Sequence, residues 1–158
     1  MNMTNRKFSN WIKWNDRNNL SGLKFPGVYF IAISDNDLSD RAFDFIQEIK
    51  YVGMTNAISG LKGRLNQFNR TIIGKSGHGG ADRFRYKHSN YNELVQHLYV
   101  SVHPFECDVT TNSPDDLRIM GEVAKFEYEC FARYSTAFNQ LPEFNDKQRS
   151  KKDSQRKK

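Results

Sequence analysis

The chain predicts an α/β domain: a small three-stranded, mainly antiparallel sheet flanked by helices. Two apolar-aromatic runs of strand length, VYFIAI from Val28 and EIKYVG ending at Gly53, are spaced to pair as a hairpin across a polar connection. A third segment alternates Leu98, Val100 and Val102 with Tyr99, Ser101 and His103 and stops at Pro104. Around Leu61, and again after Ser113, apolar residues recur at three- and four-residue spacing, which is the helical period.

Taken in order, Phe8, Trp11, Ile12 and Leu20 at loosely helical spacing predict a short helix over 5–20, making residues 1–24 a helical extension before a main domain at 25–146. Pro26 and Gly27 punctuate ahead of the first strand, on which Tyr29, Ile31 and Ile33 share one face. SDNDLSD reads as loop, which gives the hairpin a long, acidic connection. Thr55 and Ser59 are candidate caps for a helix with Leu61, Leu65 and Phe68 on one side. Arg64 lies three and four residues from Leu61 and Phe68, so this spacing holds it near the sheet. GKSGHGGADRFRYKH, rich in glycine and cations, reads as a loop passing into irregular structure. Ser113-Pro114-Asp115-Asp116 is a strong helix start, with a cap, a first-turn proline and acids at the positive end of the dipole; the helix should reach about Tyr134. Residues 147–158 read as a basic, disordered tail.

That tail carries seven Lys or Arg against one Asp, the whole formal net charge of +6, so residues 1–146 are balanced. Within the balanced body, Lys62, Arg64, Arg70, Lys75, Arg83, Arg85 and Lys87 face a single Asp82, while acids gather at 35–48 and 106–129. Such a basic strip suits phosphate contacts; its bland alternative is a solvated surface. No apolar run approaches the ~18 residues of a membrane span, and the N-terminus lacks a signal-type apolar stretch, so the expected location is cytoplasmic. Cys107 and Cys130 show no metal-type spacing with the histidines and read as two reduced thiols. IIGKS lacks the first glycine of a phosphate loop, Asn69 standing there instead, and HPFEC has no second ligand pair. Trp11 and Trp14 could stack on bases, but packing is the stronger reading.

The helix after Ser113 holds the most informative side chain. Its apolar face reads Leu117, Met120, Ala124, position 127, Phe131 and Tyr134, and position 127 is glutamate. A carboxylate on such a stripe calls for a cation or for hydrogen bonds, since burying it alone costs several kcal/mol. The rival reading is a buried ion pair with Arg64 or Lys75.

Gly27-Val28-Tyr29, Tyr51-Val52-Gly53, Arg64 in LKGRL, Glu127 in KFEYECFARY and Asn139 in AFN, in that order, resemble the motif set of the GIY-YIG nuclease superfamily. LKGRL and FEYECFARYSTAFN are similar to segments of the nuclease domain of the bacterial excision-repair incision subunit. The stretch between the tripeptides is longer than that family usually shows. The resemblance implies the GIY-YIG fold and Mg²⁺-dependent endonuclease activity on DNA, with Mn²⁺ a possible substitute. It assigns Glu127 as ligand of one divalent cation, Arg64 to the scissile phosphate, and Tyr29 as base or orienter of the attacking water, with Tyr51 close by. Asn139 would fix the ends of the site, Asn145 being its rival. A histidine or lysine usually follows the arginine; His78 is the first candidate, with Lys62, Lys75 and His88 competing. Lys62, Arg70, Lys75, Arg83, Arg85 and Lys87 are the candidate nucleic-acid contacts. No DNA-reading motif is appended, so specificity falls to loops such as GHGG or to a protein partner. A noncatalytic nucleic-acid-binding module on the same fold is the alternative; a protein-interaction domain using the acidic face is a third. One site cuts one strand, so a double-strand break would need a dimer or two encounters.

Overall fold

A computed structural model describes residues 8–152 as an antiparallel sheet of four strands, in the order β1-β4-β2-β3, between two layers of helices. The strands are β1 (Ile12–Lys13), β2 (Gly27–Ile33), β3 (Ile49–Thr55) and β4 (Leu98–Pro104). The helices are α1 (Gly60–Ile73), α2 (Gly79–Lys87), α3 (Tyr91–Val95) and α4 (Pro114–Phe138). The predicted hairpin and third strand are present, and β2 lies between β3 and β4. The fourth strand is an addition to the three predicted: Ile12 and Lys13 pair with Val100 and Tyr99.

That strand belongs to the segment for which a helix is expected. Residues 1–7 lie outside the described residues; Ile12–Lys13 is extended and Trp14–Asn19 is a 3₁₀ turn. The cause is where the tryptophans go. Trp11 packs with Phe8, Phe30 and Val123 on one side of the sheet, whereas Trp14 packs with Leu65, Phe68 and Tyr29 on the other. Three residues apart on a helix, both would face the same way. Both are enclosed, Trp14 donating from Nε1 to Asn69 Oδ1 at 2.8 Å under the Arg17 guanidinium, so these rings are core rather than stacking platforms.

Alternation along β2 divides the molecule into two cores. Val28, Phe30 and Ala32 face α4, while Tyr29, Ile31 and partly buried Ile33 face α1 and α2. On the second side, Phe68 and Phe84 meet at 5.1 Å between ring centres, and Phe84 meets Phe144 at 4.2 Å. This aromatic anchor makes a helix, α2, of the segment expected to be irregular. Its start has an unusual cap: His78 Nδ1 accepts the Ala81 amide at 3.2 Å.

Helix α4 begins as predicted, Ser113 Oγ accepting the Asp116 amide, and continues four residues beyond Tyr134. Its stripe differs from the expected one. Val123, Cys130 and Tyr134 are buried, whereas Leu117 is 48% exposed and Ala124 is also exposed. The stripe therefore runs Met120, Val123, Glu127, Cys130, Tyr134, and Glu127 stays on it. Both cysteines are free, and burial pushes the Cys130 thiol up to about 12. Among the described residues no helix is long and apolar enough to cross a membrane.

The basic tail also departs from expectation where it is described. Ser150 is buried and its carbonyl accepts from Arg83, and Arg149 donates to the Leu141 carbonyl, so residues 147–152 dock against α2. Residues 153–158 lie outside the described residues.

Candidate functional site

Two tyrosines, an arginine and a histidine meet where the α1–α2 layer covers β2 and β3. Tyr29 and Tyr51 project from adjacent strands toward the same core, their ring centres 6.1 Å apart. Glycines make room for them. Tyr29 is the cross-strand partner of Gly53, and a Cβ on Gly53 would overlap the Tyr29 ring. A Cβ on Gly80, near the start of α2, would overlap the Tyr51 ring in the same way. Tyr-x-Gly in β3 and His-Gly-Gly at the start of α2 thus encode space for aromatic rings.

His78 locks the cluster. Its Nε2 lies 2.7 Å from the Tyr29 hydroxyl, and its Nδ1 accepts the Ala81 amide. An amide N–H can be accepted only by an unprotonated nitrogen, so neutral His78 carries its proton on Nε2 and donates it to the Tyr29 oxygen. Burial, reinforced by the Arg64 charge, pushes the His78 pKa down to about 3. His78 is therefore a fixed neutral donor and not a base.

Burial raises the Tyr29 pKa well above its usual value, and Tyr51 adds to the rise; the charge of Arg64 and a hydrogen bond from it oppose them. Tyr51 is also raised by burial, with Arg64 and a hydrogen bond from Tyr29 pulling the other way. Tyr29 is 0% exposed, whereas Tyr51 is partly exposed, so Tyr51 is the member of the pair that reaches solvent.

Arg64 donates to Gln67 Oε1 at 2.6 Å, and Gln67 Nε2 donates to the Gly77 carbonyl at 2.7 Å. One glutamine thereby ties the arginine to the loop that delivers His78. Its signal in sequence is only its place three residues after Arg64. The Arg64 Nε is buried without a hydrogen-bond partner among the described residues, a donor that an incoming anion can satisfy.

Glu127 sits on α4 within electrostatic range of Arg64 and both tyrosines. Burial raises its pKa and Arg64 only partly offsets that. Among the described residues it makes no salt bridge or hydrogen bond, so the ion pair with Arg64 or Lys75 does not form. No group of three or more His, Cys, Asp or Glu is placed to hold a metal among those residues. Glu127 is the carboxylate of this cluster, a side chain that could contribute one ligand to a hard divalent cation.

Asn139 does not join the cluster. It is the exposed, left-handed cap of α4 with φ of 59°, twelve residues and about 18 Å of helix beyond Glu127. Asn145 clamps the site strand instead, accepting the Val52 amide and donating to the Val52 carbonyl, both at 2.8 Å. The basic strip divides. Lys62, Arg70 and Lys75 are exposed. Arg83 donates to the Ser150 carbonyl, Arg85 bridges Asp82 and the Thr71 carbonyl, and Lys87 pairs with Glu143 at 2.6 Å. These last three tie α2 to its neighbours. His88 ends α2, and burial lowers its pKa.

No family model, curated protein or solved structure matches the chain, so fold and site rest on the residues described above.

Proposed function

We propose that the protein is a metal-dependent endonuclease of the GIY-YIG type, hydrolysing phosphodiester bonds in DNA. The observation that carries this reading is the convergence of Tyr29, Tyr51, Arg64 and His78 beside Glu127, a carboxylate on an apolar stripe that makes no salt bridge or hydrogen bond among the described residues. Glu127 would hold Mg²⁺ or Mn²⁺, which when bound supplies positive charge to the phosphorane and its leaving oxygen. Arg64, permanently charged and fixed by Gln67, neutralises the scissile phosphate.

The proton route follows from exposure and tautomer. Tyr51 meets the attacking water, and Tyr29 stands behind it on the neighbouring strand. His78 Nε2–H donates to the Tyr29 oxygen and the Arg64 charge favours its ionised form, so phenolate character developing at the pair is stabilised by one donor and one cation. With both tyrosines raised by burial, the rate should climb from pH 6.5 through 9.

The test is nicking of supercoiled plasmid, and cutting of branched and single-stranded oligonucleotides, with Mg²⁺, Mn²⁺ or chelator. Glu127→Gln should lose about 10²-fold or more in rate while keeping affinity for DNA. Binding with no cutting under any metal would favour the noncatalytic module, the reading supported by complete burial of Tyr29. Absence of both would leave the interaction-domain reading.

A further inference from the structure

Beside the tyrosine cluster lies an open cavity of about 460 Å³, whose lining includes Asn56, Ala57, Ser59, Arg64, Gln67 and Arg70. Its volume is in the range of small-ligand pockets and suits one nucleotide rather than a duplex. Two arginines line it, a composition that suits an anionic occupant. One of them, Arg64, is also part of the tyrosine cluster, which makes the cavity continuous with the site of cutting.

The rim is formed by the loop between β3 and α1, and that loop is braced. Thr55 Oγ1 accepts the Ala57 amide at 3.1 Å, the Ala57 carbonyl accepts the Gly60 amide at 2.9 Å, and Asn56 Nδ2 donates to the Met120 carbonyl at 3.0 Å. Between the lining residues Ala57 and Ser59, this rigid loop presents Ile58, 75% exposed and the most exposed large apolar side chain among the described residues. A scattered surface isoleucine needs no explanation. Carried on a braced loop whose neighbouring residues line a cavity with two arginines, it has the form of a wedge that separates stacked bases while cations hold the backbone.

We infer that this cavity is a subsite for the nucleotide flanking the scissile phosphate: Arg70 takes the neighbouring phosphate and Ile58 packs against its unstacked base. The inference rests on the nuclease reading and adds that the substrate strand is locally unstacked beside the cut. Substrates already unpaired there, such as mismatched, nicked or branched DNA, should therefore be preferred over continuous duplex.

The experiment uses the full chain with oligonucleotide duplexes carrying 2-aminopurine at successive positions along their length, read in chelator for binding and in Mg²⁺ for cleavage, with any cut mapped on the same duplexes. Wild-type protein should raise the fluorescence several-fold at one flanking position. Ile58→Ala and Ile58→Ser should abolish most of that rise and lower kcat/KM on continuous duplex about tenfold, with a smaller loss on a substrate mismatched at that position. Arg70→Ala should weaken binding and reduce the salt slope by about one. Ile73→Ala, another exposed apolar residue on α1, is the control and should behave as wild type. Cutting with no fluorescence rise at any position, or an Ile58→Ala profile equal to that of the control, overturns the subsite while leaving the nuclease reading intact. A rise on binding without any cutting supports the subsite and overturns the nuclease. No binding at all overturns both.

Discussion

Replacing His78 by asparagine should change how stability depends on pH. In the unfolded chain the imidazole titrates near its ordinary 6.5, whereas in the folded protein burial and the Arg64 charge hold its pKa at about 3. Between these values the unfolded state binds a proton that the folded state refuses. The contribution is thus fully present above pH 6.5 and is lost as pH falls toward 3. At about 1.36 kcal/mol per pH unit, acidification from pH 7.5 to 4.5 should cost wild type about 3 kcal/mol through this residue. Asparagine can still cap α2 by accepting the Ala81 amide, but it does not titrate and it leaves part of the space between Phe68 and Tyr51 empty. The variant should therefore be less stable at pH 7.5 by about 1–3 kcal/mol, the usual range for lost core packing and a lost hydrogen bond. By pH 4.5 the difference should vanish or invert. Urea unfolding followed by tryptophan fluorescence reads this directly, because Trp11 and Trp14 are both buried. Parallel curves for the two proteins over this range would show that His78 takes up a proton in the native state, and the fixed Nε2–H donor would be wrong.

Four further substitutions separate the parts of the cluster from its surroundings. Gln67→Ala removes both the Arg64 anchor and the tie to the Gly77 carbonyl, so kcat should fall about tenfold with KM nearly unchanged and stability lower by about 1 kcal/mol; plasmid-nicking kinetics with a parallel thermal melt check both. Gly53→Ala places a methyl group in the Tyr29 ring and should cost about 1–3 kcal/mol by overpacking, with cleavage lost as the ring moves; calorimetry and a cleavage assay read the two effects. Asn145→Ala breaks two hydrogen bonds to Val52 and should cost about 2–3 kcal/mol in urea unfolding, whereas Asn139→Gly, at a left-handed cap, should stay within about 0.5 kcal/mol and cut normally.

The fold was legible wherever a pattern was local. Alternation located β2, β3 and β4, and Ser113-Pro114-Asp115-Asp116 located the start of α4, because pleat and cap chemistry act within a few residues. The N-terminal segment was not legible, because Trp11 and Trp14 serve opposite cores and only the finished sheet separates them. Helix α2 escaped notice because a histidine caps it and two glycines open it, while Phe84, which fixes it in place, depends on Phe68 and Phe144 from distant segments. The α4 stripe is not decided by sequence at this step, because Val123 and Ala124 stand three and four residues from Met120 and both steps are helical. The sheet surface, by burying Val123, decides between them.

The site divides in the same way, and the two asparagines show why. Each tripeptide was readable because its residues carry packing information: the glycine of the second is flat space for the tyrosine of the first, across one antiparallel pair. The resemblance assigns Asn139 from its place in AFN, twelve residues after Glu127, but distance along the chain becomes distance in space according to the structure between. Here that structure is continuous helix. Twelve residues at about 1.5 Å each carry Asn139 away from the carboxylate. Six residues further on the chain has left the helix and passed Pro142, and a 3₁₀ turn at Glu143–Asn145 aims the next asparagine back at β3. Its side chain satisfies the Val52 amide and carbonyl together, fixing the strand between Tyr51 and Gly53. Asn145 and not Asn139 thus clamps the strand that carries Tyr51, and the same turn brings Glu143 to Lys87 and Phe144 to Phe84, joining α2 and β3 at one corner.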